Sequence, residues 1–452
     1  MANYVIQDTT LTNIANAIRE KSGSEDAYKP TEMAAAISAI TTGGGSSEIT
    51  VRTPDEIYAQ DRPADWPILP DPIDDKEIYY LCETFWDGTS KYFVYPQGPS
   101  TCDVEWGYIN ENGEFVVTQR STDVKGVYWG RYGASKETET DKYHVMRTTK
   151  GDSTYDAPTE TYHTSRTIQV LEIKARGTNF QFSGSRTQYF KGFTNCSFIT
   201  LYGPQDWAAD SSYKFYGLSK LKCLRFDSDE HNVFLQPNSK ITNLKYLFGS
   251  CYCLEYAYPI NNFTKVTDIS YMYAYCKNLK KATIENDTTT TISGVLNECR
   301  GLKECSLRLP KGTSASLFTN CRINKFTNLD LSGITSVSGI QNALGYCCEE
   351  MLNVKIKSSL EYSSYGPAYY SSYGSQQLRR FTMAPDQEGM PTEFKVMLYA
   401  ADKEGIREFF ESLPTITTNC ALTVYNYRLF SIPDEEILSI ATNKGYTVSI
   451  TK

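Results

Sequence analysis

Apolar positions recur along this chain in three rhythms, each confined to its own stretch. Between Leu11 and Ile40 the rhythm is helical. Leu11, Ile14, Ala15 and Ile18 fall at i, i+3, i+4 and i+7 behind Thr10 as a cap, and Ser22-Gly23-Ser24 ends the run. Pro30-Thr31 opens a second helix striped with Met33, Ile37 and Ile40. Two helices of about ten residues each hold little core, so they predict a hairpin packed on itself or on a partner. Thr41 to Ser47 reads as flexible coil, which makes 1–42 a module of its own. Residues 43–75 then form a Gly/Pro-rich linker, extended between Arg62 and Pro72 where four prolines forbid helix.

From 76 to 179 the rhythm becomes that of strands. Short runs rich in Tyr, Phe, Val and Trp cover Glu77 to Leu81, Lys91 to Tyr95, Cys102 to Ile109, Glu114 to Thr118 and Thr167 to Ile173. Asn112-Gly113 marks a hairpin turn. This spacing predicts an antiparallel β-sandwich of immunoglobulin-like type, with polar residues 131–164 as a long loop.

The third rhythm is a repeat that fills 180–452. Segments Phe193 to Cys196, Leu247 to Cys251, Met272 to Cys276, Val295 to Cys299, Leu317 to Cys321 and Ala343 to Cys347 align on one Cys each. The last five follow one another by 25, 23, 22 and 26 residues, within the roughly 20 to 29 of leucine-rich repeats. After the Cys come an apolar residue and an alternating pair: Leu254; Leu279 with Ile284; Leu302 with Leu307 and Leu309; Phe326 with Leu329 and Leu331; Leu352 with Val354 and Ile356. One strand and one return per unit, stacked, predict a curved solenoid with a parallel sheet and a shared core. The recurrent Cys could be a ladder of metal or redox sites. One thiol per coil does not converge, however, and the structural role of a compact hydrophobe is favoured.

Composition narrows the chemistry. The 45 Lys and Arg stand against 53 Asp and Glu, a net charge of −8 with no basic cluster, so nucleic acid is not an expected partner. No apolar run approaches the roughly 20 residues of a membrane span, and the first residues lack a secretory signal, so neither membrane insertion nor export is expected. Thirteen Cys in no paired spacing read as reduced, and three scattered His (His144, His163 and His231) offer no ligand set. No metal or cofactor is expected. Acidic groups such as Asp227, Asp229 and Glu230, Asp330, or Glu349 and Glu350 could supply paired carboxylates for glycan hydrolysis, but they read as a solvated face, and no catalytic motif marks an enzyme. Tyr is abundant, at 34 residues. It concentrates in Ser358 to Gln377, where Tyr362, Tyr365, Tyr369, Tyr370 and Tyr373 on a Ser/Gly chain have the chemistry of a binding loop.

The apolar-Phe-x-x-Cys-x-x-Leu unit resembles the BspA-like leucine-rich repeats of bacterial surface proteins and of phage structural proteins. The opening resembles a module common in phage tail, fibre and baseplate proteins, LxxIAxAIRxKTG followed by PxxMxxAI. Leu11, Ile14, Ala15, Ala17, Ile18, Arg19, Lys21, Gly23, Pro30, Met33 and Ile37 match it, and Ser22 replaces the usual Thr. The ending, with Phe409-Phe410, Leu422 to Val424 and Asn443 to Val448, resembles the closing repeats of such proteins. These resemblances imply a non-enzymatic virion protein of a tail fibre, baseplate or head fibre. Its buried stripe of Leu11, Ile14, Ile18, Met33, Ile37 and Ile40 would dock to other virion proteins. The solenoid would face a host-surface glycan or protein, and the particle would carry the chain as a symmetric homo-oligomer, trimers being usual. A BspA-like cell-surface adhesin and a glycan-degrading tail enzyme are the alternatives.

Overall fold

The computed structural model describes residues 49–84, 92–93, 102–124, 130–131, 142–149, 168–177, 182, 193–308, 321, 323–333, 348–359, 378–426 and 435–451. The chain divides between Thr50 and Val51, and the second unit, Val51–Lys452, holds every element below. The N-terminal hairpin expected at 1–42 lies outside the described residues.

Part of the expected linker is ordered by its own capping chemistry. Helix α1, Pro54–Asp61, starts at a Thr53/Glu56 capping box with Pro at its first turn. It buries Ile57 against Phe198 and Cys223. The Pro-rich residues after it form a strap. Arg62 reaches back to Glu172 at 2.9 Å, and Lys174 holds the Leu69 carbonyl at 2.8 Å and Asp71 at 2.6 Å. Leu69, with Trp66 beside it, covers one face of a β-sheet at Tyr79, Leu81, Val145 and Leu171.

That sheet contains β1 (Ile78–Thr84), β3 (Cys102–Ile109), β4 (Phe115–Val124), β6 (Tyr143–Thr149) and β7 (Ile168–Arg176), in the antiparallel order β4-β3-β6-β1-β7. Short β2 (Tyr92–Phe93) and β5 (Gly130–Arg131) pair separately. The hairpin turn predicted at Asn112-Gly113 joins β3 to β4, with Gly113 at φ +80°. Two features depart from the sequence reading. Strand β6 lies inside the stretch read as a loop. It is central and buried on both faces, so His144, Val145 and Met146 give no alternation, and Arg147 is neutralised by Glu105 and Glu77 from neighbouring strands. The second sheet of an immunoglobulin-like sandwich is not present among the described residues. The strap covers one face, and the other face joins the main core.

The sheet also crosses the expected boundary at 179/180. Strand β7 pairs in parallel with β8 (Phe198–Tyr202), and β8 with β9 (Cys223–Phe226), so the first coils of a β-solenoid grow from the edge of the antiparallel sheet. A second parallel sheet follows in strict sequence order: β10 (Lys281–Ile284), β11 (Glu304–Arg308), β12 (Lys325–Asp330), β13 (Glu350–Lys355) and β14 (Arg380–Met383). Its register aligns inward columns, Ala282-Cys305-Phe326-Met351-Phe381 and Ile284-Leu307-Leu329-Val354-Met383. These side chains lie in one core that runs through all the coils. Beside them the register stacks Lys281, Glu304, Lys325, Glu350 and Arg380. Lys281 meets Glu304 at 2.6 Å, while Lys325 and Arg380 each lie 3.6 Å from the buried Glu350.

Between the two sheets, the coil at Leu254 to Ile260 forms no strand because Pro259 cannot donate to a ladder. Tyr258 takes its place: its buried hydroxyl accepts from the Leu224 N–H at 2.7 Å and donates to the Leu224 carbonyl at 2.5 Å. The chain ends in a parallel sheet of β15 (Glu393–Met397), β16 (Cys420–Tyr425) and β17 (Tyr446–Thr451), linked by α2 (Lys403–Ser412) and α3 (Glu435–Thr442). Asp402 caps α2, whose Ile406, Phe409 and Phe410 are buried. The protein is thus mainly β, with three α-helices among the described residues.

Candidate functional site

Two residue sets singled out in the sequence, Leu11 to Ile40 and Tyr362 to Tyr373, lie outside the described residues, as does Cys347. The remaining repeat cysteines, Cys196, Cys251, Cys276, Cys299 and Cys321, are buried and form no disulfide. Four of them form a column with a common geometry. The thiols of Cys251, Cys276, Cys299 and Cys321 donate to the Phe215, Phe248, Tyr273 and Leu296 carbonyls at 3.1, 3.2, 3.0 and 2.7 Å. Each carbonyl belongs to the preceding coil, so the position calls for a small side chain with one weak donor. Burial pushes the thiols of Cys196, Cys251, Cys276 and Cys299 up, which keeps them protonated and poor as nucleophiles or ligands. Replacing Cys276 with Ala removes the thiol from the Phe248 carbonyl, which keeps its bond from the Cys251 N–H at 3.0 Å, and is expected to cost about 1–2 kcal/mol in urea unfolding, chiefly through the lost packing of the buried sulfur. An unchanged midpoint would remove the column from the stabilising interactions.

One coil escaped the sequence alignment. Leu218 occupies the column position before Cys251, because Tyr213, Phe215 and Leu218 precede Leu221 as Tyr246, Phe248 and Cys251 precede Leu254. On this side of the solenoid the N–H groups of Tyr213, Tyr246 and Tyr271 donate to the next coil, and all three residues have positive φ (59°, 55° and 57°). Left-handed backbone costs a non-Gly residue about 1–2 kcal/mol. Ring stacking offsets part of that cost: Tyr213 lies on Tyr246 at 4.9 Å, and Tyr246 on Tyr271 at 4.7 Å. The next coil has Gly294 at this position, where a Cβ would run into the Tyr271 ring.

A cleft of about 590 Å³ lies at the carboxyl ends of β10 to β14. Two polar rows line it, one contribution per coil. In the first, Asn328 donates to Ser306 Oγ at 3.1 Å, Asn353 donates to Asn328 Oδ1 at 3.2 Å, and Ser306 itself is bonded to Glu285. In the second, Asp287, Arg308, Asp330, Lys355 and Asp386 alternate in charge. Arg308 bridges Asp287 and Asp330, and Lys355 holds Asp386 at 2.6 Å. Register explains both rows, since Arg308, Asp330 and Lys355 are direct neighbours across three strands. Leu307 and Ala384 are buried beneath the cleft, and Pro385 is its exposed apolar residue.

Two carboxylates of the second row, Asp330 and Asp386, are held as hydrogen-bond acceptors. Burial pushes Asp330 upward, but hydrogen bonds from Ser332 and Arg308 outweigh it and hold the carboxyl below its usual range. The Lys355 hydrogen bond lowers Asp386 likewise. A general acid for glycan hydrolysis needs the opposite shift. Among the described residues no group of three or more His, Cys, Asp or Glu converges to hold a metal ion. Of the acids noted in the sequence, only Asp330 lines the cleft. Asp227 pairs with His231 at 2.6 Å, and Glu349 and Glu350 pair with Arg379. The amide row had no sequence signal, because Asn328 and Asn353 look like ordinary surface residues until strand register puts them side by side. In comparisons with protein-family models, with curated proteins and with solved structures, nothing matches this chain.

Proposed function

We propose that the chain is a non-enzymatic structural and recognition component of a bacteriophage particle, in a tail fibre, baseplate or head fibre. The observation that carries this reading is the solenoid, whose single core fixes rows of polar and aromatic side chains in register across successive coils. Rigid repeated surfaces of this kind serve recognition more readily than chemistry. The opening segment supports the virion assignment by its resemblance to phage anchor modules. In this reading Leu11, Ile14, Ile18, Met33, Ile37 and Ile40 dock to other virion proteins. The solenoid then faces the host surface or a neighbouring subunit of a homo-oligomer, and Tyr362, Tyr365, Tyr369, Tyr370 and Tyr373 add to the contact surface.

Deleting residues 1–42 tests the proposal. The truncated protein is expected to keep its cooperative unfolding transition and to be missing from purified particles, as measured by quantitative mass spectrometry. Incorporation at the parental level would overturn the anchor assignment.

A further inference from the structure

We infer that the cleft at the carboxyl ends of β10 to β14 binds a neutral glycan strand running along the solenoid axis; the inference rests on the recognition reading above. The argument begins with spacing. Adjacent strands are about 4.8 Å apart, so five coils place their polar groups over roughly 20 Å. That spacing is comparable to the length of one pyranose unit, which lets successive sugars meet the same chemistry at successive coils.

The groups themselves fit hydroxyls. Asn328 and Asn353 each carry an amide donor and acceptor at an exposed position, and the carboxylates paired with Arg308 and Lys355 are fixed acceptors beside fixed donors. Side chains already bonded to their neighbours cost little entropy to organise around a ligand. Pro385, exposed in the lining, offers an apolar surface for the C–H face of a sugar ring. The volume lies within the roughly 300–1,000 Å³ of ligand sites.

Charge decides which polymer fits. Glu285, Asp287, Asp330 and Asp386 outnumber Arg308 and Lys355 in the lining, so the cleft repels polyanions such as nucleic acids, teichoic acids and uronate chains. A neutral strand meets no such barrier.

The test uses the full-length protein and microcalorimetry. The probes are cello-, malto- and chito-oligosaccharides of two to six units, with oligogalacturonate of the same lengths as the anionic series. At least one neutral series is expected to bind, with affinity rising with each added unit up to four or five, and oligogalacturonate is expected not to bind. The double substitution Asn328→Ala/Asn353→Ala should weaken the neutral hexamer at least tenfold while circular dichroism stays unchanged. Asn261→Ala, at an exposed lining residue outside the two rows, should weaken it several-fold and covers the case in which the double variant misfolds. No neutral hexamer bound at millimolar concentration, equal affinity in both variants and parent, or preference for the anionic series would each overturn the inference. Attachment of the same protein to host cells separates the two levels. Attachment without glycan binding overturns the cleft assignment alone, and absence of both overturns the recognition reading as well.

Discussion

Replacing Lys214 with Met is expected to raise stability at and below pH 7 by about 2–5 kcal/mol. Lys214 is 3% exposed, and the next three coils put Leu247, Met272 and Val295, all buried, at its position. Its Nζ sits 5.2 Å from the centre of the Trp207 ring. Burial lowers the ammonium from 10.5 to about 7. Below pH 7 both folded and unfolded states carry the proton, so the penalty is present in full. Between pH 7 and 10.5 only the unfolded state remains protonated, and stability rises with pH as the folded state sheds its charge. Urea unfolding of parent and variant across this range should therefore show a gap that is constant below pH 7 and closes toward pH 10.5. A gap that stays flat through the whole window would mean that Lys214 keeps its charge in the folded protein.

Tyr258→Phe is expected to act in the other direction, by about 2–5 kcal/mol. Only one oxygen is lost, yet it is the partner of both the N–H and the carbonyl of Leu224 in a fully buried setting. Phe cannot serve either group, and each buried orphan costs about 1–3 kcal/mol. Tyr273→Phe provides the scale. Its hydroxyl makes a single bond, to the Tyr258 carbonyl at 2.8 Å, so its loss should cost about half as much. Denaturation midpoints ordered parent, Tyr273→Phe, Tyr258→Phe, with faster amide exchange at Leu224 in the last, are the expected result. The reverse order would show that water or neighbouring backbone replaces the Tyr258 hydroxyl.

The legible parts of the fold were those in which one residue type recurred at a constant phase. Cys251, Cys276, Cys299 and Cys321 announced the coils because each satisfies the same carbonyl geometry, and the alternating pairs after them became β10 to β13. Leu218 hid a coil by filling the same position with a different hydrophobe. Strand β6 was hidden because its polar residues have partners distant in sequence: Glu105 and Glu77 for Arg147. What the strap lies upon was hidden for the same reason, since nothing near Arg62 in the chain foretells Glu172. Pro-rich composition correctly excluded a long helix but said nothing of what the extended chain would lie upon. The cleft was the least legible feature. Its rows exist only through register, and Asn328, Asn353 and Asp330 have no meaning as a group in one dimension.

The row of Lys281, Glu304, Lys325, Glu350 and Arg380 bears on how the solenoid reaches its final order during folding. Stacked coils are similar enough in shape that a strand could pair with the next but one, looping out the coil between. In this row any such skip brings like charges together: Lys281 against Lys325, Glu304 against Glu350, or Lys325 against Arg380. Two of those encounters would be cationic, and the third would join two carboxylates that are buried in the native stack. Sequential pairing makes every neighbour attract and a single-coil skip makes two of them repel, so the row acts as a proofreading element that rejects coils misthreaded by one before their apolar faces can close.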